Sequence, residues 1–353
     1  MSKKEEIKET KQTQEEIKKE KLSKLAAFEA AVSKKYGDEI IQNGSDKKDL
    51  KIDTTTTGSI SLDVALGVGG LPKGRVVEIY GPEASGKTTL TLQIIANAQR
   101  LGNICGFIDA EQALDVSYAK QVGVKFDKSL QIASPEYGEQ GLDLVREMAE
   151  SGAFDVIVVD SVAALVPKAE IEASEGFEKN TAMGVMARNM SRALRVLTPI
   201  AKQNNVLIIF INQLREKIGI SYGPTETTTS GNSLKFYSSV RLRVRKASGE
   251  IELSVGDKKL PGYKMVVKIV KNKLNSPQED VEIPVIYGHG VDTVFDLYTA
   301  SKALNVIEVT GRTHTFKEKV LGKSADEALQ AVRLDSALAK EIEKEVRKKL
   351  YDK

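Results

Sequence analysis

Continuous apolar runs alternate with helical patterns along the middle of the chain. The runs are rich in β-branched residues and predict strands at 75–80, 103–109, 129–133, 155–160 and 206–212. Several are apolar at consecutive positions, which is typical of parallel strands that are covered on both faces. Apolar periodicity between them predicts helices at 87–101, 113–122, 139–151 and 182–204. This alternation predicts an α/β fold with a mainly parallel central sheet and right-handed crossovers.

The two flanks of this block have different patterns. Residues 1–21 are almost all charged or polar, which is typical of a solvated tail or a frayed helix. Apolar residues then recur at helical spacing from Leu22 to Tyr36, and this helix needs a surface of the chain itself or of another copy. We therefore assign 1–49 to a charged tail followed by an N-terminal helix.

The block from 50 to 290 ends with three β-rich runs that have no helices between them. They predict antiparallel strands at the edge of the sheet, near 239–247, 263–273 and 280–288. From 291 to 353 the pattern is helical again and predicts a small α-rich C-terminal module.

Composition narrows the class of protein only moderately. The chain has 353 residues, 41% hydrophobic and 29% charged, which is typical of a globular protein with a sizeable core. The net charge of +3 is too small to indicate a nucleic-acid partner, so such a partner has to be argued from local sites. The single cysteine excludes an internal disulfide, and no apolar run is long enough for a membrane span. A cytoplasmic location and no membrane partner are the simplest expectations.

A glycine-rich loop follows the first of these strands. Residues 81–88 read GPEASGKT, which fits the pattern of a phosphate-binding P-loop between a strand and a helix. Glycines let successive backbone N–H groups converge on an anion at the N-terminus of a helix. A lysine then neutralises the terminal phosphates, and a hydroxyl residue can bind Mg²⁺. The predicted ATP and Mg²⁺ site comprises Gly81, Pro82, Glu83, Ala84, Ser85, Gly86, Lys87, Thr88 and Thr89.

Three further strands end in polar side chains that would meet this loop. Asp160 can hold the Mg²⁺ together with Thr88, although it could instead cap the following helix. Glu111 can position an attacking water, and Gln213 can contact the γ-phosphate. The alternatives are a solvated loop acid and a polar residue at a strand end. We predict an ATPase from the convergence of all three with the P-loop.

Two irregular stretches, 167–181 and 213–232, follow these strand ends and should emerge on the same side of the sheet. After the first stretch, Arg188, Ser191 and Arg195 form one helical stripe that suits phosphate oxygens, although a solvated basic face is the simpler interpretation. Met183, Ile218 and Tyr222 could stack on bases or could be packing residues.

Motifs across residues 50–290 closely resemble those of the bacterial RecA recombinases. They include GPEASGKTTLTLQ, FIDAEQALD, VIVVDSVAALVPKAEIE, FINQLREKIG, VKIVKNK and IYGHG, in the order and spacing of that family. The resemblance implies a RecA-type P-loop ATPase core with antiparallel edge strands, an N-terminal helix and a C-terminal module.

The resemblance also implies roles for individual residues. Lys87, Glu111 and Gln213 would act in ATP hydrolysis, and Lys271 and Lys273 would reach the ATP of a neighbouring subunit. Asp115, Tyr118 and Tyr287 would contact the nucleoside. The loops 167–181 and 213–232 would bind DNA, with contacts from Met183, Arg188, Ser191, Arg195, Arg215, Ile218, Tyr222, Gly231 and Asn232.

The implied function is a DNA-dependent ATPase that forms ATP-bound helical filaments on single-stranded DNA. Its partners would be homologous double-stranded DNA, with which it pairs and exchanges strands in DNA repair, and further copies of itself, bound through the helix that starts at Leu22. The resemblance also implies promotion of self-cleavage of an SOS repressor of the LexA type and a nucleoid-associated location.

Other functions are compatible with a P-loop. A small-molecule kinase would work without DNA, a ring helicase would form closed hexamers, and a nucleotide-gated DNA scaffold would bind with negligible turnover.

Overall fold

The strands that the apolar runs predict lie side by side in one large sheet. The computed structural model describes residues 3–37, 40–41, 52–172, 184–216, 226–228, 231–255, 258–276 and 280–351. The chain divides into two compact units, Met1–Lys51 and Ile52–Lys353. In the first unit, α1 (Lys3–Tyr36) is one continuous helix on which Leu22, Leu25 and Phe28 are exposed. The helix thus includes the charged segment before Leu22 as well as the predicted amphipathic part.

The second unit contains the predicted α/β core and the C-terminal elements. Its helices are α2 (Ile60–Leu66), α3 (Lys87–Arg100), α4 (Val116–Val122), α5 (Gly138–Glu150), α6 (Lys168–Ile171), α7 (Val185–Gln203), α8 (Ser233–Tyr237), α9 (Thr293–Ala303), α10 (Ala325–Leu334) and α11 (Ser336–Tyr351), with a 3₁₀ turn at Val162–Ala164. Its strands are β1 (Thr54–Thr55), β2 (Leu71–Pro72), β3 (Val76–Gly81), β4 (Cys105–Asp109), β5 (Leu130–Ala133), β6 (Val156–Asp160), β7 (Leu207–Glu216), β8 (Glu226–Thr228), β9 (Val240–Lys246), β10 (Ile251–Val255), β11 (Lys258–Asn272), β12 (Val281–Ile286), β13 (Gly290–Val291), β14 (Ile307–Thr310), β15 (Thr313–Phe316) and β16 (Lys319–Gly322). Across the described part of the chain, no helix has both the length and the apolar character needed to cross a membrane.

The central sheet confirms the predicted mainly parallel arrangement. Its strands lie in the order β13-β12-β11-β9-β3-β7-β6-β4-β5. Strands β3 and β6 are buried at every position, including Glu78 inside β3 and Asp160 at the end of β6. One apolar core packs the sheet against α3, and a second packs the opposite face against α5 and α7. Because neither face of these strands meets solvent, apolar residues are favoured at consecutive positions rather than at alternate ones.

The edge strands β10, β11, β12 and β13 are antiparallel, as predicted, but β9 is not antiparallel to the core. Strand β9 pairs in parallel with β3, with Glu78 opposite Arg241, and pairs in antiparallel fashion only with β11. The reason is the connection, because α8 lies between β7 and β9 and the chain returns to the amino end of the sheet before β9 begins. The three predicted edge strands thus pair with one another in antiparallel fashion, as predicted, and β9 also joins them in parallel to the core strand β3.

The C-terminal module, predicted to be α-rich, contains the helices α9, α10 and α11 and also a three-stranded antiparallel sheet, β14-β15-β16, that the pattern did not predict. His314 and Phe316 of β15 are buried, and the Tyr298 hydroxyl lies 2.9 Å from Nδ1 of His314. The helices and this small sheet share an apolar core with Ile60 of α2.

A buried carboxylate joins α2 to the last helix. Asp63 accepts hydrogen bonds from the hydroxyls of Thr56 and Thr57 and from the Thr57 backbone N–H, and Arg347 of α11 lies 3.8 Å away. Asp63 is fully buried, and this burial raises its pKa to about 6, although the hydrogen bonds and Arg347 act in the opposite direction.

This raised pKa predicts how stability depends on pH. Because the folded-state pKa lies above the ordinary value of 3.8, the stabilisation from protonated Asp63 is fully present below pH 3.8 and is lost as the pH rises through about 6. Between pH 4 and 7, the free energy of unfolding should therefore fall by about 2–3 kcal/mol more in the wild type than in Asp63→Asn. Urea unfolding of both proteins at each pH measures this difference, and parallel pH profiles would contradict it.

Candidate nucleotide-binding site

The loop between β3 and α3 has the backbone geometry of a P-loop. Gly86 caps the N-terminus of α3 with a φ of +97°, a conformation that favours glycine. A Cβ on Gly81 would lie 2.0 Å from the carbonyl oxygen of Val244, so only glycine fits where β3 passes β9. The loop therefore runs directly into the N-terminus of a helix of 14 residues, where free N–H groups favour an anion.

Lys87 lies at the first position of α3 and is almost fully buried. Its Nζ donates a hydrogen bond to the carbonyl oxygen of Pro82 at 2.6 Å, across the loop. Burial lowers the pKa of Lys87, while the carboxylates of Asp160, Glu111 and Glu83 oppose this shift. The Lys87 side chain is thus held across the loop, close to these carboxylates.

The next residue, Thr88, meets the end of β6. Its Oγ1 donates a hydrogen bond to Oδ2 of Asp160 at 2.8 Å. Burial raises the pKa of Asp160 to about 6, with a further contribution from nearby Glu111. The alternative interpretation of Asp160 as a helix cap is not observed, because Ser161 occupies the cap position of the 3₁₀ turn. The structure therefore brings together the two residues that we predict as Mg²⁺ ligands.

Glu111 lies beside this pair. The backbone N–H groups of Ala110 and Glu111 continue the ladder to the carbonyl oxygen of Asp160, at 2.8 and 3.2 Å. Oε1 of Glu111 accepts hydrogen bonds from Nε2 of Gln213, at 3.2 Å, and from the hydroxyl of Ser161. Glu111 and Gln213, which are both predicted site residues, are therefore in direct contact through Oε1 of Glu111.

Ser161 also belongs to this cluster. The sequence analysis did not indicate it, because one serine after a strand is an ordinary turn residue.

The carboxylate of Asp109, at the end of β4, makes different contacts from that of Glu111. Its carboxylate accepts hydrogen bonds from the backbone N–H groups of Ala113 and Leu114, both at 3.2 Å, and so shapes the loop before α4.

A buried polar network connects β3, the strand before the P-loop, to its two neighbouring strands. The sequence analysis did not predict it. Glu78 of β3 is fully buried and accepts hydrogen bonds from Nε of Arg241 and, at 2.9 Å, from Nδ2 of Asn212. The Oδ1 of Asn212 accepts a hydrogen bond from the backbone N–H of Gln213 at 2.9 Å. A glutamate inside an apolar strand was the signal that could have indicated this network.

Tyrosines surround the first turn of α3. The Tyr118 hydroxyl lies 2.8 Å from Oγ1 of Thr89, and Asp115 caps α4 by accepting from the N–H of Tyr118 at 3.0 Å. Tyr263 of β11 also hydrogen bonds with the Thr89 side chain, and burial raises its pKa to about 12. The Tyr287 ring lies 5.4 Å from the ring of Tyr263. Tyr118 and Tyr287 are predicted site residues, whereas Tyr263 is not.

Lys271 and Lys273 lie away from the P-loop of their own subunit. Because β11 runs antiparallel to β9, Lys271 is opposite Arg241, towards the amino end of β3. Its Nζ donates hydrogen bonds to the carbonyl oxygens of Lys235 and Phe236, at 2.8 and 3.0 Å. Burial, Lys273 and Arg241 lower the pKa of Lys271. The predicted contact to a nucleotide therefore requires a second subunit.

The predicted DNA-binding residues are only partly within the described residues. Arg188 and Arg195 are exposed on α7 and Ser191 is half-buried between them, while Gly231 and Asn232 are exposed at the start of α8. Only the backbone of Arg215 is described, as part of β7. Met183, Ile218 and Tyr222, and most of the loops 167–181 and 213–232, lie outside the described residues.

The close packing behind Gly86 yields a prediction about stability. A Cβ at this position would lie 2.8 Å from the Tyr263 hydroxyl and 2.9 Å from Sδ of Met265, whereas one on Gly102, at a φ of +83°, would contact nothing. Gly102→Ala should cost about 1 kcal/mol from backbone strain, and Gly86→Ala about 1 kcal/mol more. Urea unfolding measures both, and equal losses would contradict the packing argument.

Comparisons with known proteins identify the family to which the chain belongs. The RecA N-terminal domain family model matches residues 23–292. The fold is similar to that in "Crystal structure of the RadB recombinase", with a TM-score of 0.50 and 22% identity over 67% of this chain and 98% of that chain. Because the family model covers most of the chain, including the P-loop and the strand ends around it, this chain belongs to the RecA N-terminal domain family.

Proposed function

We propose that this protein is a DNA-dependent ATPase and homologous recombinase. The observation that carries the proposal is the convergence of Glu111, Gln213 and Ser161 beside the Thr88–Asp160 pair, at the edge of the sheet where the P-loop begins. Membership in the RecA N-terminal domain family supports ATP-driven action on DNA. The proposed reaction is hydrolysis of Mg·ATP.

The residues present fit a bound triphosphate and Mg²⁺. The hydroxyl of Ser85 in the loop is buried and has no hydrogen-bond partner among the described residues, so it suits an added acceptor such as a phosphate oxygen. Among the described residues, no three His, Cys, Asp or Glu side chains form a metal site. Thr88 and Asp160, which are hydrogen bonded to each other, would hold Mg²⁺ together with phosphate oxygens, and the ion would neutralise charge on the phosphates.

Glu111 is the proposed general base. Ser161 and Gln213 donate to the same oxygen, Oε1, and this arrangement orients the carboxylate. The amide of Gln213 can exchange this hydrogen bond for one to the γ-phosphate. Because Gln213 is followed by the stretch up to 232, such an exchange would transmit the presence of ATP to the proposed DNA-binding loop.

The proposed active form contains more than one subunit. Lys271 and Lys273 cannot complete the site of their own subunit, and in a filament they would approach the triphosphate of a neighbour and stabilise developing negative charge. The exposed apolar residues of α1 support self-association.

Arg188 and Arg195 would contribute contacts to DNA phosphates. We further propose strand exchange with homologous duplex, promotion of SOS repressor self-cleavage and a location in the cytoplasm at the nucleoid.

ATP turnover at increasing concentrations of single-stranded DNA tests the proposal, with electron microscopy of the same sample. We expect DNA-stimulated hydrolysis and open helical filaments, and at least a 100-fold loss of turnover in Lys87→Ala, because its charge on the terminal phosphates is removed. Turnover that is independent of DNA would favour the kinase, and closed rings would favour the helicase. DNA binding with negligible turnover would favour the scaffold.

Removal of the Lys271 charge, which we propose acts on a neighbouring subunit, should affect DNA-stimulated ATP hydrolysis without affecting ATP binding. Lys271→Ala should bind ATP as the wild type does, because Lys271 does not contact its own P-loop, but should lose most DNA-stimulated turnover. Lys268→Ala, an exposed lysine on the same strand, is the control and should retain stimulation. The prediction fails if Lys271→Ala keeps normal DNA-stimulated turnover.

A further inference from the structure

Lys246, the last residue of β9, makes three contacts with two tyrosine rings. Its Nζ lies 5.0 Å from the ring centroid of Tyr263 and 5.1 Å from that of Tyr287. It also donates a hydrogen bond to the Tyr287 hydroxyl. An exposed lysine usually keeps its ammonium free in water and its rotamers mobile, so this arrangement holds both the lysine and the ring in one position.

The two rings are not equivalent. Tyr263 is buried, hydrogen bonds with Thr89, and closes the space behind Gly86. Tyr287 is 40% exposed and contacts the ring of Tyr263, so that Tyr263 lies between it and the P-loop. A continuous row of contacts therefore runs from the first turn of α3 through Tyr263 to an open aromatic surface.

The position of Tyr287 suits the nucleoside half of a bound nucleotide. The P-loop binds the phosphates, Tyr118 lies at Thr89 on the same turn, and Tyr287 provides the exposed aromatic face next to this turn. An aromatic ring of this kind can stack on a base or pack against a ribose. The contribution of the ring depends on its being held in place before the nucleotide binds.

We propose that Lys246 is a positioning residue for nucleoside binding, which holds the Tyr287 ring in place through the cation–π contact and the hydrogen bond. This inference rests on the proposed function, because it assumes that ATP occupies the P-loop. Lys246 acts through Tyr287 and does not itself contact phosphate. It therefore affects the adenosine half of ATP and leaves the triphosphate half unchanged.

The experiment compares two ligands that share the triphosphate and differ in the nucleoside. Calorimetry measures the dissociation constants of ATP and of inorganic tripolyphosphate, both with Mg²⁺, for the full chain and its variants. Lys246→Met should weaken ATP about five-fold, the loss expected for one partly exposed cation–π contact, and leave tripolyphosphate binding unchanged. Lys246→Arg should restore most of the ATP affinity, because a guanidinium can stack on the ring and donate to the hydroxyl.

Two controls separate positioning from a general structural effect. Lys264→Met removes a lysine of the adjacent strand that pairs with Glu282 at 2.8 Å, and it should leave both affinities unchanged. Tyr287→Ala should weaken ATP at least as much as Lys246→Met, because it removes the ring itself, and in that background Lys246→Met should have no further effect. Such non-additivity is the signature of two residues that act as one unit.

The possible results decide between the inference and the proposed function. Unchanged ATP affinity in Lys246→Met, or an equal loss of tripolyphosphate affinity, would overturn the positioning role while leaving the ATP site intact. If the wild type binds ATP no more tightly than tripolyphosphate, the role of Lys246 is wrong and the P-loop site stands. If it binds neither ligand, the proposed ATP site is wrong as well.

Discussion

The structure of the site depends on parallel strands that end at one edge of a doubly covered sheet. The ladder places Gly81 opposite Gln213 and Asp109 opposite Asp160. Because the strands are covered on both faces and end in polar residues, a shift in register would draw these polar ends into the apolar sheet or carry them away from one another. The packing that stabilises the core therefore also determines which polar side chains meet beside the P-loop.

The buried polar network below the loop reinforces this geometry. Glu78 joins β3 to β7 through Asn212 and to β9 through Arg241. A buried ion pair contributes little net stability, because desolvation offsets much of the Coulomb attraction, but loss of one partner leaves an uncompensated charge. Its value here is geometric, since it fixes three neighbouring strands in position and supports the backbone of Gln213 through Asn212.

Much of the fold and the centre of the site could be predicted from local sequence. The continuous apolar strands, the P-loop, and the polar residues Asp160, Glu111 and Gln213 at strand ends all have short-range signals, and the structure brings these three residues and the P-loop together. The direction of β9 has no such signal, because it depends on the path of the chain between β7 and β9. The small sheet β14-β15-β16 has none either, because it depends on packing against distant helices. Ser161 looks like an ordinary turn residue in the sequence, and Tyr263 and Lys246 have no local signal because their partners lie on other elements.

We propose that ATP is held between two subunits, by the P-loop of one and by Lys271 and Lys273 of its neighbour. A cryo-electron microscopy reconstruction of the protein with single-stranded DNA, Mg²⁺ and a non-hydrolysable ATP analogue tests it directly. We expect a filament in which density for the γ-phosphate lies within contact distance of Lys87 from one subunit and of Lys271 or Lys273 from the next. A nucleotide enclosed by one subunit alone, with both lysines still far from any phosphate, would contradict it.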